Sequence, residues 1–230
     1  MAVEMDGIVG RFYKTSEFIM KLLQLQLLWI FFSFVGLLVV GIMPATMALF
    51  ATTRKWVMKR EENFSLFKEF WKTFRNEFWK SNLIGFLLSI MGYVLYVNLS
   101  IMKYAEGILA ICLLIGVILC SLLFITILIY IVPVFVHYNL KLSRYFTYSL
   151  MIGISYPVHT ILVALIVYIV SRLFFWIPGL LPFFSMSLPA YLIMVLSLKL
   201  FERIERRRES EESISENLSN MGQKYGSVDA

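Results

Sequence analysis

The sequence predicts an all-α fold, a polytopic bundle of transmembrane helices, and three observations support this class. Apolar residues make up 60% of the 230 residues, and the mean hydropathy of +0.78 is above that of an ordinary soluble domain. The apolar residues are concentrated in stretches long enough to cross a hydrocarbon core of about 30 Å as helices. These stretches are continuous, whereas the strands of a membrane barrel would alternate apolar and polar residues. Helices also satisfy their own backbone hydrogen bonds in lipid.

The first apolar stretch, residues 22–53, decides how many times the chain crosses the membrane. The 21 residues before it carry charges of both signs and lack the pattern of a cleaved signal peptide, so a cleaved signal is not expected. The stretch itself is either one long span kinked at Pro44 or two spans hinged between Gly41 and Pro44. Proline costs no hydrogen bond in the first turn of a helix, so Pro44 also fits a helix start.

The distribution of Lys and Arg favours two spans in this stretch. By the positive-inside rule, six spans in total place 19 of the 21 basic residues in the cytoplasm, whereas five spans place 16 there. A second proline-led segment, beginning at Pro189 and Ala190, resembles the one at Pro44 and Ala45, and both run into basic residues. Both termini are therefore predicted to be cytoplasmic.

The remaining elements follow in order along the chain. One domain, residues 1–208, is predicted, followed by a polar tail, residues 209–230, whose Ser- and Glu-rich composition predicts disorder. An additional amphipathic helix is predicted between the second and third spans. The predicted spans are 22–41, 44–57, 83–102, 108–136, 152–171 and 180–200, and the amphipathic helix is 63–80.

Aromatic residues in the amphipathic helix recur at intervals of three and four, which places them on one face. Such a helix is typical of the membrane interface, with its apolar face in the headgroup region. The alternative is a docking helix for a partner protein, because aromatic residues flanked by Lys and Arg also suit helix-in-groove binding. The residues concerned are Phe64, Phe67, Trp71, Phe74 and Phe78, with Lys68, Lys72 and Arg75 beside them.

Few polar side chains fall inside the predicted spans. His159 is the one ionisable residue expected at bilayer depth, and the scarcity of such residues argues against a proton-driven pump. Gln24, Gln26 and Asn98 lie near predicted interfaces, where hydration is expected to satisfy them. Small residues at four-residue spacing predict close helix packing at Ser81, Gly85 and Ser89.

The sequence contains no pattern that predicts enzymatic activity. A nucleophile elbow, a glycine-rich phosphate loop and a two-His metal helix are all missing. Cys112 and Cys120 lie about 12 Å apart along one predicted helix, so they cannot pair and are expected to be small buried apolar residues. No cofactor, metal or catalytic residue is expected. The basic residues flank spans, which argues against nucleic-acid binding.

The segment LLWIFFSFVGLLVVGIMPATMALFATTRKWV, followed by FKEFWKTFRNEFWKSNLIG, resembles the YesL-like family of bacterial integral membrane proteins, a domain of unknown function numbered 624. The resemblance covers most of residues 7–205. One departure is Gly41-Ile42-Met43 before the proline, where the family typically has threonine and glycine. The resemblance implies a multi-pass protein of the bacterial cytoplasmic membrane. It also implies genes that neighbour sugar ABC transporters, glycoside-degrading enzymes and two-component sensors.

Two functional hypotheses follow. The first is an accessory or scaffold protein linked to carbohydrate uptake or sensing, whose amphipathic helix contacts a membrane transporter or a sensor kinase. The second is a small transporter or channel for a small solute. In either case the lipid bilayer surrounds the protein, and a homo-oligomer is a further hypothesis.

Overall fold

The computed structural model describes residues 8–58, 65–104 and 106–226, and all secondary structure in these ranges is helical. The all-α class predicted from the sequence is therefore confirmed for the described chain. A short 3-10 turn at Pro178–Leu180 precedes α8. The helices are α1 Ile8–Val35, α2 Ile42–Val57, α3 Leu66–Asn76, α4 Phe78–Met102, α5 Gly107–His137, α6 Leu142–Ser155, α7 Pro157–Trp176, α8 Leu181–Phe184 and α9 Ser187–Gly226.

Four of the described helices are long and apolar enough to cross a membrane. A fifth crossing is added if α8 and α9, which meet at a bend of 63°, together form one broken span. The predicted count of six is not confirmed, because α2 has 16 residues and is about 24 Å long. The four helices are Gly10–Val35 within α1, α4, Ala110–His137 within α5, and α7.

The first apolar stretch forms two helices, so the alternative of one long helix kinked at Pro44 is wrong. The chain leaves α1 at Val35 and turns through Leu37 and Leu38, which have φ values of 62° and 56°. It then enters α2 at Ile42, so Pro44 lies in the first turn, where its missing N–H costs no helical hydrogen bond. The predicted hinge residue Gly41 is the residue immediately before α2.

Helix α2 lies at the centre of the bundle, in contact with α1, α3, α4, α5 and α9. Small side chains such as Ala45 and Ala48 are fully buried and let the neighbouring helices approach closely. The basic end of α2 is held by two polar contacts. The Lys55 ammonium is 2.8 Å from the Glu69 carboxylate, and the Arg54 guanidinium donates to the Val136 carbonyl at 3.2 Å. Protein, rather than lipid, therefore surrounds most of α2.

The turn between α1 and α2 lies across a cavity from the middle part of α5. Val39, Val40 and Met43 line a cavity of about 790 Å³ together with Phe124 and Leu128 of α5. Leu128 is nine residues, or about 14 Å, from the C-terminal end of α5, and 21 residues, or about 31 Å, from its N-terminal end. The turn is therefore much closer to the C-terminal end of α5 than to its N-terminal end.

Aromatic and polar contacts fasten α9 to the end of α5. The His137 ring lies 4.6 Å from the Phe201 ring, and its Nε2 is 3.0 Å from the Glu205 carboxylate. Burial, and next the Glu205 charge, raises the pKa of the Tyr138 hydroxyl above its ordinary value. Helix α9 then continues to Gly226, through the tail for which the sequence predicts disorder. Glu and Arg in this segment have high helix propensity, which favours the helix that the structure shows over the predicted disorder.

Candidate functional site

Helix α3 contains three residues of the predicted aromatic stripe, Phe67, Trp71 and Phe74, and packs against the protein's own helices. Phe70 and Phe74 are buried, and both rings lie 5.1 Å from the ring of Phe32 in α1. The Ser65 hydroxyl accepts a hydrogen bond from the Lys68 N–H and caps the start of the helix. Phe64 lies outside the described residues. Phe74 of the stripe and Phe70, which flanks it, therefore fix the orientation of α3 on α1 and α2.

The outer half of α3 forms an exposed patch of aromatic and basic side chains, here called the α3 surface. Phe67 and Trp71 are 53% and 42% exposed although both rings also contact Phe32. Phe78, at the start of α4, is half-buried against Phe74. An open groove of about 700 Å³ between α1 and α3 continues from Phe67. The α3 surface consists of Phe67, Lys68, Trp71, Lys72 and Arg75, all exposed.

Of the three predicted small-residue positions in α4, Ser81 and Gly85 lie inside the bundle and Ser89 faces outward. Ser81 is buried, and a Cβ added at Gly85 would collide with the Met43 side chain of α2. The Ser89 hydroxyl is exposed and donates to the Gly85 carbonyl of its own helix at 2.8 Å. Gly85 therefore supports the contact between α4 and α2.

His159 belongs to a hydrogen-bonded network between α5, α7 and α9. Its Nε2 is 3.0 Å from the Leu196 carbonyl, which can only accept, so Nε2 carries the proton. Its Nδ1 then accepts from the Tyr130 hydroxyl at 3.0 Å, and that oxygen is also 3.0 Å from the Thr160 hydroxyl. Both ring nitrogens of the histidine thus have partners in the protein, and the geometry is that of a network that fastens three helices.

Gln26 is a structurally important residue for which the sequence interpretation was wrong. It is buried, not hydrated at an interface, and its Oε1 accepts from the backbone N–H groups of Met186 and Ser187 at 3.0 Å each. Its Nε2 donates to the Ser185 hydroxyl at 2.9 Å. Gln26 therefore caps the start of α9 from α1. The available signal was a glutamine within the largely apolar run of residues 22–35, which Gln24 in the same run also shows although it is exposed.

The two cysteines also differ from expectation. Cys112 and Cys120 are free and exposed, where burial inside the protein was predicted. They line an open groove of about 520 Å³ between α5 and α4. Among the described residues, no group of three or more His, Cys, Asp or Glu side chains could hold a metal ion.

The fold and these contacts define a class: an all-helical protein with several helices of membrane-spanning length packed around a buried central helix. Residues 22–99 match the family model described as "Protein of unknown function, DUF624". Three relatives from Bacillus subtilis, YteU, YesL and YesV, each described as an uncharacterized protein, match most of the chain.

The sequence identity to these relatives shows to which family the chain belongs. The chain is 35% identical to YteU over 89% of its own length and 91% of that protein. It is 32% identical to YesL over 85% of its own length and 91% of YesL. It is 30% identical to YesV over 86% of its own length and 95% of YesV. The chain belongs to the DUF624 family, which confirms the resemblance described above. No solved structure matches it.

Proposed function

We propose that this protein is a non-enzymatic accessory component of a membrane complex and that the α3 surface is where its partner docks. The observation that carries the proposal is the division of α3 into two faces. Phe70 and Phe74 fix the helix on Phe32, so the outward residues are presented on a rigid support. Aromatic residues and Arg are enriched at protein interfaces, and an outward aromatic helix face suits docking in a partner's groove.

The partner we propose is a membrane transporter or a sensor kinase that acts in carbohydrate uptake or sensing. This part of the proposal is supported by what the family resemblance implies about neighbouring genes. The α3 surface carries three cationic side chains, Lys68, Lys72 and Arg75, so its partner should present acidic groups around an apolar groove.

We further propose that α1 and α2 form a hairpin that enters and leaves the bilayer on the cytoplasmic side. Its turn lies across a cavity from Leu128, which is about 31 Å short of the N-terminal end of α5. The crossings are then α4, α5, α7 and the α8–α9 pair. With both termini cytoplasmic, Lys103 and Arg172 are the two basic residues of the sequence on the outer side of the membrane. The other 19 of the 21 basic residues are then cytoplasmic, as they would be with six spans.

Cysteine labelling tests this arrangement. In a Cys112→Ala, Cys120→Ala background, a membrane-impermeant maleimide should label Lys103→Cys on intact cells. It should label Thr15→Cys and Ser210→Cys only after the cells are permeabilised. Leu38→Cys, at the turn of the hairpin, should resist the reagent in both conditions because lipid covers it. Labelling of Leu38→Cys on intact cells would contradict the proposal, since α1 would then cross completely.

Photocrosslinking in native membranes tests the proposed function. A photoreactive amino acid at Lys72 or Arg75 should give a crosslink to a transporter subunit or a sensor kinase. The same amino acid at Leu119 and Leu122, on the exposed apolar face of α5, is the matched control and should give lipid adducts. If Lys72 and Arg75 yield self-crosslinks and lipid adducts alone, the α3 surface is not a docking site for such a partner.

A further inference from the structure

A groove between the start of α7 and the middle of α9 combines basic and apolar walls. It has a volume of about 500 Å³ and is separate from the α3 surface. Lys199, Arg203 and Arg207 follow one another at four-residue intervals, so they lie on one face of α9 and line the groove together. Ser155 and Tyr156, at the junction of α6 and α7, contribute polar side chains to the opposite wall.

The three cations carry a positive charge that the described part of the chain leaves largely uncompensated. None of them lies within 4.0 Å of a carboxylate among the described ion pairs. Like charges at i and i+4 repel each other on a helix, so an anion between them would be stabilising. Glu211 is the nearby acidic residue; it adjoins Arg207 at the outer end of the groove, where Arg206 adds a further positive charge.

The opposite end of the groove leads directly onto an apolar surface. Leu162 lines the groove with the cations, and the outward face of α7 continues from it along Ile161, Leu165 and Ile169, each 49% exposed or more. Helix α7 is long and apolar enough to span a membrane, so this face meets lipid acyl chains. A soluble anion such as free phosphate would contact the basic end of the groove and would make no contact with the apolar end.

We propose that this groove binds the phosphate headgroup of an anionic phospholipid, whose acyl chains lie along the outward face of α7. Lys199, Arg203 and Arg207 contact the phosphate, and Leu162 marks the depth at which the glycerol backbone gives way to hydrocarbon. Basic pockets between transmembrane helices are a recurring means of recognising anionic lipid headgroups. The site goes beyond the proposed accessory role and does not depend on the α3 surface.

Native mass spectrometry of the full-length protein with dioleoyl-phosphatidylglycerol tests the site. The variant Lys199→Gln, Arg203→Gln, Arg207→Gln should retain the lipid at least about tenfold more weakly, because each cation near an anionic headgroup contributes substantially to binding. The matched control Lys141→Gln, Arg144→Gln, Arg208→Gln removes the same charge elsewhere and should retain the lipid as the parent does. Dioleoyl-phosphatidylcholine, which has no net charge, should not be retained by the parent protein or by either triple variant.

Three outcomes would overturn the proposal. Equal losses in the two triple variants would show a nonspecific effect of net charge. Equal retention of the two lipids by the parent protein would show that the groove does not select an anion. Displacement of the anionic lipid by millimolar inorganic phosphate, with the phosphate itself retained, would assign the site to a soluble anion. Crosslinking at Lys72 is unaffected by any of these results, so the two proposals can fail separately.

Discussion

Replacing Gln26 with leucine is expected to lower the thermal unfolding temperature of the purified protein substantially. The substitution removes the acceptor for the Met186 and Ser187 N–H groups and the donor to Ser185. A buried backbone donor left without a partner costs about 1–3 kcal/mol, so two of them place the total at about 2–6 kcal/mol. Tryptophan fluorescence during heating in detergent measures the change.

The matched control for this prediction is Gln24→Leu. Gln24 lies two residues away in α1, is exposed, and carries the same functional group. Its replacement should change the unfolding temperature little, because no described contact of the side chain is lost. A similar shift for the two variants would show that the polarity of α1, and not the cap on α9, is what matters.

Replacing Gly41 with alanine should also destabilise the protein, through the turn between α1 and α2. An added Cβ would collide with the Ser33 carbonyl oxygen and with the backbone of Gly36, and neither group can rotate away as a side chain could. Forced overpacking of this kind costs about 1–3 kcal/mol. The loss should appear as a lower unfolding temperature and faster proteolysis of the α1–α2 segment.

Gly116→Ala provides the comparison. Gly116 lies in the interior of α5, and a Cβ added there meets no atom within 4 Å. Alanine is a better helix former than glycine by about 0.5–1 kcal/mol, so this variant should be neutral or slightly more stable. If Gly41→Ala is as stable as Gly116→Ala, the close contact between the two arms of the turn does not limit the packing of the hairpin.

The helical elements could be predicted largely because apolar stretches and helix-breaking residues are local signals. The break between Val35 and Ile42 was indicated by Gly41 and Pro44, and α3 by the spacing of its aromatic residues. The burial of α2 could not be predicted in the same way. Its sequence is less apolar than those of α4, α5 and α7, but hydropathy does not show whether protein or lipid covers a side chain. Two of the five helices around it, α5 and α9, come from distant parts of the chain.

The α3 surface likewise combines features that the sequence predicts with features that it does not predict. Regular spacing predicted one aromatic face with basic flanks, but it left open whether lipid, a partner or the protein itself covers that face. The structure places Phe70 and Phe74 against Phe32 and leaves Phe67 and Trp71 outward. The contact with Phe32 joins residues about forty positions apart, a distance at which helical periodicity carries no information.

The sequence by itself determined the class of this protein, an all-helical member of the DUF624 family with several helices of membrane-spanning length. Hydropathy measures how strongly a segment avoids water, and the positions of Gly, Pro and charge show where helices end. Hydropathy is the same whether lipid or another helix excludes the water. Only the tertiary structure therefore decided that α2 is enclosed, that Gln26 caps α9, and that Lys199, Arg203 and Arg207 line one groove.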